Sequence, residues 1–135
     1  MEEAFTDLLQ ADAGLAALCD DRIHWGIQPD GIQQFPYLNL TLVSDPVAYY
    51  LDGEAGVQRV RVQLDAWAES YLGAVAVQRA ASMLLSGYIG TVGVIAFKGM
   101  LVETGRDLDG LSPGDAQQLY GRSVDVLVHW GAASV

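Results

Sequence analysis

Apolar and polar positions along the chain alternate with two different periods, and the switches between them mark the elements. Residues 37–43 alternate strictly, with Leu38, Leu40 and Leu42 on one side and Tyr37, Asn39, Thr41 and Val43 on the other. That is the pattern of a strand with one buried face. Residues 57–68 repeat it more strongly, setting Val60, Val62, Leu64 and Ala66 against Arg59, Arg61, Gln63, Asp65 and Trp67. Residues 91–103 read as a third long strand loosened by Gly93 and Gly99. Residues 119–130 read as a fourth, with Tyr120, Val124, Val126 and Val128 opposed to Ser123, Asp125, Leu127 and His129.

Two segments follow a helical period instead. In residues 2–19, Phe5, Leu8, Leu9, Leu15 and Leu18 recur at helical spacing, and Asp12 is placed to cap a second short helix after a bend, with Gly14 just inside it. Residues 70–86 carry a stripe of Leu72, Val75, Ala76, Arg79, Ala80, Met83 and Leu84, with Glu69 or Ser70 as the cap and Gly87 as the stop. Arg22 to Trp25 is a short extended piece, and a loop marked by Pro29, Asp30-Gly31 and Pro36 follows. Residues 44–56 and 104–118 are polar, rich in Gly and Pro, and read as long loops.

The order α-β-β-α-β-β favours antiparallel hairpins over parallel crossovers. The expected fold is α+β: a single two-layer domain over residues 1–135, with a four-stranded, mostly antiparallel sheet and both helices on one face. Neither an internal repeat nor a linker interrupts it.

Composition narrows the function. Apolar residues make up 51% of the chain and charged ones 18%, as a folded core requires. The longest apolar candidate, residues 87–102, is broken by Gly90, Gly93 and Lys98, so no membrane contact is expected, and the acidic start at Glu2 and Glu3 lacks the basic end of a signal peptide. Cys19 is the only cysteine, which excludes an internal disulfide, and with His24 and His129 it makes a poor zinc set. Cys19 is expected to be a small buried residue. The net charge of −10 argues against gripping nucleic acid, though not against a surface that nucleic acid slides past.

The chain lacks HExxH, CxxC, a P-loop and GxGxxG. Asp107 and Asp109, with Asp115, could offer oxygen ligands to a hard cation, but a solvated acidic loop is the simpler reading. His129, between Val128 and Trp130, has no nucleophile or carboxylate at a known spacing and reads as a structural histidine at the sheet edge. Asp20-Asp21 reads as a helix end. No catalytic residue, metal or cofactor is assigned.

The second face of the sheet is more informative. Helices can cover only one side of so small a sheet, which leaves Tyr37, Asn39, Thr41, Arg59, Arg61, Asp65, Trp67, Leu127 and His129 on the other. Such a mixture of aromatic, arginine and aliphatic groups is typical of a protein interface. Tyr49 and Tyr50, in the 44–56 loop, complete the expected oligomer or partner surface.

Several segments together resemble a known family. They are Leu-Leu-Gln-Ala-Asp-Ala-Gly-Leu-Ala-Ala-Leu at 8–18, Asp21-Arg22-Ile23, Pro36-Tyr37, Val-Gln-Leu-Asp-Ala-Trp-Ala at 62–68 before an Ala-rich helix, Tyr-Gly-Arg-Ser-Val-Asp-Val at 120–126, and His129-Trp130. In order and spacing this resembles the tail-completion, or tail-terminator, proteins of long-tailed phages and gene transfer agents. The resemblance implies a hexameric ring on the head-proximal end of a tail tube in the virion, assembled in the host cytoplasm. The implied partners are other copies, the tail tube protein and a head–tail connector protein, with DNA passing through the lumen without specific binding. The family has no catalytic residues to carry over. Two alternatives remain beside it: a head–tail neck adaptor or stopper, and a cytoplasmic small-ligand-binding or regulatory α+β module.

Overall fold

The computed structural model describes residues 1–26, 35–44, 57–108 and 120–133. In chain order the elements are α1 (Glu2–Ala11), α2 (Ala13–Cys19), β1 (Ile23–Trp25), β2 (Tyr37–Ser44), β3 (Gln58–Ala68), α3 (Tyr71–Leu85), β4 (Gly90–Val92), β5 (Ile95–Leu108) and β6 (Tyr120–Ala132). The strands form one sheet in the order β1-β2-β3-β6-β5-β4. The β1–β2 pair is parallel and all the others are antiparallel.

The α+β class agrees with the sequence reading, but the described residues hold six strands and three helices rather than four and two. The extended piece at Ile23–Trp25 is a strand, too short to display a period, added to the edge beside Leu38–Leu40. The single strand expected at 91–103 is a hairpin. Gly93, at φ +59, turns the chain between Val92 and Ile95, a conformation that glycine adopts without strain. The supposed loop from Thr104 is still strand as far as Leu108.

Both helix caps fall where the sequence puts them. Asp12 ends α1 in an extended conformation, and its carboxylate accepts the Leu15 N–H at 3.0 Å to start α2. Ser70 Oγ accepts the Gly73 N–H at 3.0 Å. The face of α3 differs from the expected stripe. Ala74, Val75, Val77, Ala81 and Leu85 are buried, whereas Arg79 is exposed and Leu72 and Met83 stand 77% and 84% exposed. Size explains the choice, because small side chains let the helix lie close on the sheet. A Cβ added at Gly73 would sit 3.2 Å from the Ala68 Cβ.

The core lies between the helices and one sheet face. Leu38, Leu40, Val60, Val62, Leu64, Ala66, Met100, Val124, Val126 and Val128 meet Phe5, Leu9, Leu15, Val77, Ala81 and Leu85 there. Phe5 packs at 6.0 Å from the Trp25 ring on β1 and 6.4 Å from the Phe97 ring on β5. In a flat sheet those strands would be separated by four interstrand spacings of about 4.8 Å, so one ring touching both requires the sheet to curl around α1. Trp25 is tied to α1 as well, its Nε1–H donating to Thr6 Oγ1 at 2.8 Å.

Candidate assembly surface

The face turned away from the helices is organised in rows set by the strand register. One row runs Tyr37–Trp67–Gly121–Leu108, the next Asn39–Asp65–Ser123–Arg106, and further rows carry Thr41–Gln63–Asp125 and Arg61–Leu127–Leu101. Arg59 pairs across to His129 and Gly99. The expected residues Tyr37, Asn39, Thr41, Arg59, Arg61, Asp65, Trp67, Leu127 and His129 are therefore brought together on one surface. Tyr49 and Tyr50 lie outside the described residues, as do 45–56 of the first expected loop and 109–118 of the second. His129 does not sit at the sheet edge: β6 is an inner strand, flanked by β3 and β5.

Two devices hold this face together without a helix over it. The first is the Trp67 ring, which lies across Gly121. A Cβ there would fall 2.7 Å from Trp67 Cζ3 and 2.9 Å from the Leu108 Cβ, so only glycine admits the ring. Trp67 is thus half-buried by its own sheet. Beside it the Phe35 and Tyr37 rings stack at 5.2 Å, and partial burial pushes the Tyr37 phenol above its usual pKa.

The second device is a chain of ion pairs. Arg61 Nη1 donates to Glu103 Oε2 at 2.8 Å and lies 3.8 Å from Asp125, which also meets Arg106 at 3.5 Å. The hydrogen bond to Glu103 is the main cause that holds the Arg61 guanidinium more firmly protonated than usual. Beneath this layer Ser123 is fully buried, and its Oγ and the Asn39 Oδ1 have no hydrogen-bond partner among the described residues.

Sequence reasoning missed Leu101, Glu103, Arg106 and Gly121 here. Register shifts at Phe97/Gly99 and Val102/Gly105 each add one residue to β5, and the second reverses which side its later residues face. Arg106 is thereby placed with Asp125. Asp107, expected in a cation-binding loop, is turned to the helix side, where Arg122 Nη1 donates to its Oδ1 and the Tyr71 hydroxyl donates at 3.0 Å. The Arg122 hydrogen bond, then that from Tyr71, holds the Asp107 carboxyl below the usual carboxylate range. Asp109 and Asp115 lie outside the described residues, and no group of possible metal ligands occurs among those described.

The described surface gathers no catalytic set. One hollow is lined by Met1, Glu3, Ala4, Asp7 and residues 92–95, another by Asp12, Gly14, Ala80, Met83 and Leu84; neither joins a nucleophile to a base. Cys19 is buried, with its thiol pushed up to about 11 by desolvation. Asp20 ends α2 at φ +53, as the helix-end reading expects. No described helix is long and apolar enough to cross a membrane.

No curated protein matches the sequence. Among solved structures, a chain of the virion of a native gene transfer agent (GTA) particle shares the fold. Its TM-score is 0.68 at 20% identity, covering 99% of this chain and 95% of that one. A second solved chain aligns with TM-score 0.50 at 13% identity, over 99% of this chain and 91% of that one. The sequence also matches the family "Tail completion protein gp17" over residues 3–108. The chain therefore belongs to the phage tail-completion family, and it is a structural protein of a phage-type tail rather than an enzyme.

Proposed function

We propose that this chain is the subunit of a ring that caps the head-proximal end of a phage-like tail tube, stops tube growth and presents the surface on which the head docks. The observation that carries the reading is the sheet face from Tyr37 to His129, left uncovered by the three described helices in a member of the tail-completion family. Its mixture of aromatic, aliphatic and arginine groups suits contact with protein. The likeness in fold to a chain of a gene transfer agent virion supports a place among virion proteins.

On this reading residues 1–135 act as one domain, and the mechanism is geometric. One side of the ring matches the end of the tube, and the other lacks the tube subunit's continuation surface, so polymerisation halts. Partners are further copies of the chain, forming a hexamer, together with the tail tube protein and a head–tail connector protein. DNA passes through the lumen without specific binding, which the net charge of −10 favours by weakening adhesion to phosphate. Assembly takes place in the host cytoplasm.

Purified protein mixed with purified tail tubes tests the proposal. Electron microscopy should show a cap on one tube end, and capped tubes should not elongate when tube subunits are added. Binding only to portal-bearing heads would replace the terminator with a neck adaptor. A chain that stays monomeric beside tubes would overturn the ring.

A further inference from the structure

Among the described residues both edges of the sheet are capped only in part, and the row of Leu42 is left open on each side. On one edge β1 covers Leu38–Leu40 of β2. The Leu38 N–H donates to Arg22 O at 2.9 Å and the Leu40 carbonyl accepts from the Gly26 N–H at 2.8 Å, so alternation turns the backbone groups of Leu42 to the same edge, beyond the reach of β1. On the other edge β4 covers Ile95–Phe97 of β5. The Met100 carbonyl is taken by the Gly87 N–H at 2.9 Å, and alternation leaves the Val102 N–H and C=O facing outward with no described strand beside them. Leu42 and Val102 lie at opposite ends of one row, through Val62 and Val126.

We infer that copies of the chain join edge to edge, with residues 101–104 of β5 in one copy pairing with residues 41–44 of β2 in the next. The inference rests on the ring reading and names the contact that closes the ring. A second copy is the occupant because the two open stretches complement each other. The open stretch of β2 is about four residues long, its rows are also open on β5, and β2 and β5 run in opposite directions, since three antiparallel pairings separate them. A single rotation about an axis along the strands then sets β5 of one copy antiparallel to β2 of its neighbour and repeats head to tail, the kind of contact that closes as a ring. Val43 and Leu101, 49% and 57% exposed on these stretches, would be covered together.

The shortness of the open stretch on β2 is part of the device. β1, β4 and Gly87 cover part of each edge, and the register shifts at Leu42/Ser44 and Val102/Gly105 interrupt the open stretches themselves, as natural sheets do against uncontrolled pairing. A four-residue contact is weak alone, so free chains stay apart. It becomes effective once the tube end holds neighbours in place, because the pairing is then intramolecular.

Two readouts on tube-bound protein test this. A Val43→Cys/Leu101→Cys variant, oxidised on tube ends, should give a ladder of covalent oligomers ending at ring size, whereas either single variant should give none beyond dimer. Cys19 is buried, with its thiol pushed up to about 11, and stays out of the reaction. Hydrogen exchange on the unaltered chain should show the amides of 41–44 and 101–104 slowing at least tenfold on capping. Protein that caps tubes while yielding neither the ladder nor that protection overturns edge pairing and leaves the ring reading standing. Protein that does not bind tubes overturns both.

Discussion

The two faces of the one sheet are stabilised in different ways. The inner face is sealed from outside the sheet, by Phe5, Leu9, Leu15, Val77, Ala81 and Leu85 on three helices. The outer face is held from within. A tryptophan lies over a glycine, and four charged side chains, Arg61, Glu103, Asp125 and Arg106, bridge three strands. Burial of apolar area supplies most folding stability, while exposed ion pairs supply little. The inner face therefore holds the fold, and the outer face keeps its shape at low energetic cost with no described helix over it. A face that needs no cover to stay ordered suits a surface that meets its partner only late in assembly.

Truncation on each face should expose this difference most sharply. Phe5, fully buried between Trp25 and Phe97, should lose about 3–5 kcal/mol as Phe5→Ala in urea or thermal unfolding. Leu101→Ala, on the outer face and 57% exposed, should stay within about 0.5 kcal/mol of the unaltered chain. Equal losses would mean that the outer face is part of the core. Gly121→Ala comes next. Its Cβ must displace Trp67 or Leu108, and overpacking of this kind costs about 1–3 kcal/mol. Denaturant melts would read the loss, and a shift in tryptophan emission that is absent when Trp67 is replaced by Phe would locate it at Trp67. A smaller change belongs to the helix layer: Asp12→Ala removes the carboxylate that receives the Leu15 N–H and should lower stability by about 1 kcal/mol in the same melts.

How far the sequence carries this comparison depends on where alternation runs unbroken. The sides of β2, β3 and β6 are legible because Leu38/Leu40, Val60/Val62/Leu64 and Val124/Val126/Val128 alternate without interruption, and a period of two fixes the face once the register is set. The expected surface residues on those strands follow from that alone. On β5 the pattern fails, since each bulge adds a residue that hydrophobicity does not announce, so Glu103 and Arg106 escape a reading by alternation. Gly93-Val94 hides a turn inside an apolar run. The buried side of α3 is hard to read because apolar residues surround the helix. Fit against the sheet selects Ala74, Val77 and Ala81 and leaves Leu72 and Met83 outside. The parallel partner of β1 is a long-range choice that three residues cannot encode.

The smallest predicted effect concerns the inner side, at its exposed rim. Asp107 is reached there only because the Val102/Gly105 bulge turns it toward Arg122 and Tyr71. Hydrogen bonds from Arg122 and then Tyr71 depress its folded pKa. A group whose pKa is lower folded than unfolded binds more protons in the unfolded chain, so stability rises with pH between the two values. The contribution is present above the ordinary carboxylate pKa of about 4. It is lost as pH falls through the lower, folded value. Asp107→Asn removes that dependence. Melting curves of the two proteins should differ slightly at neutral pH and converge below the ordinary carboxylate range. The difference should shrink in high salt, since the site is exposed. A gap that persists unchanged into acid would show that the substitution disturbs packing rather than charge.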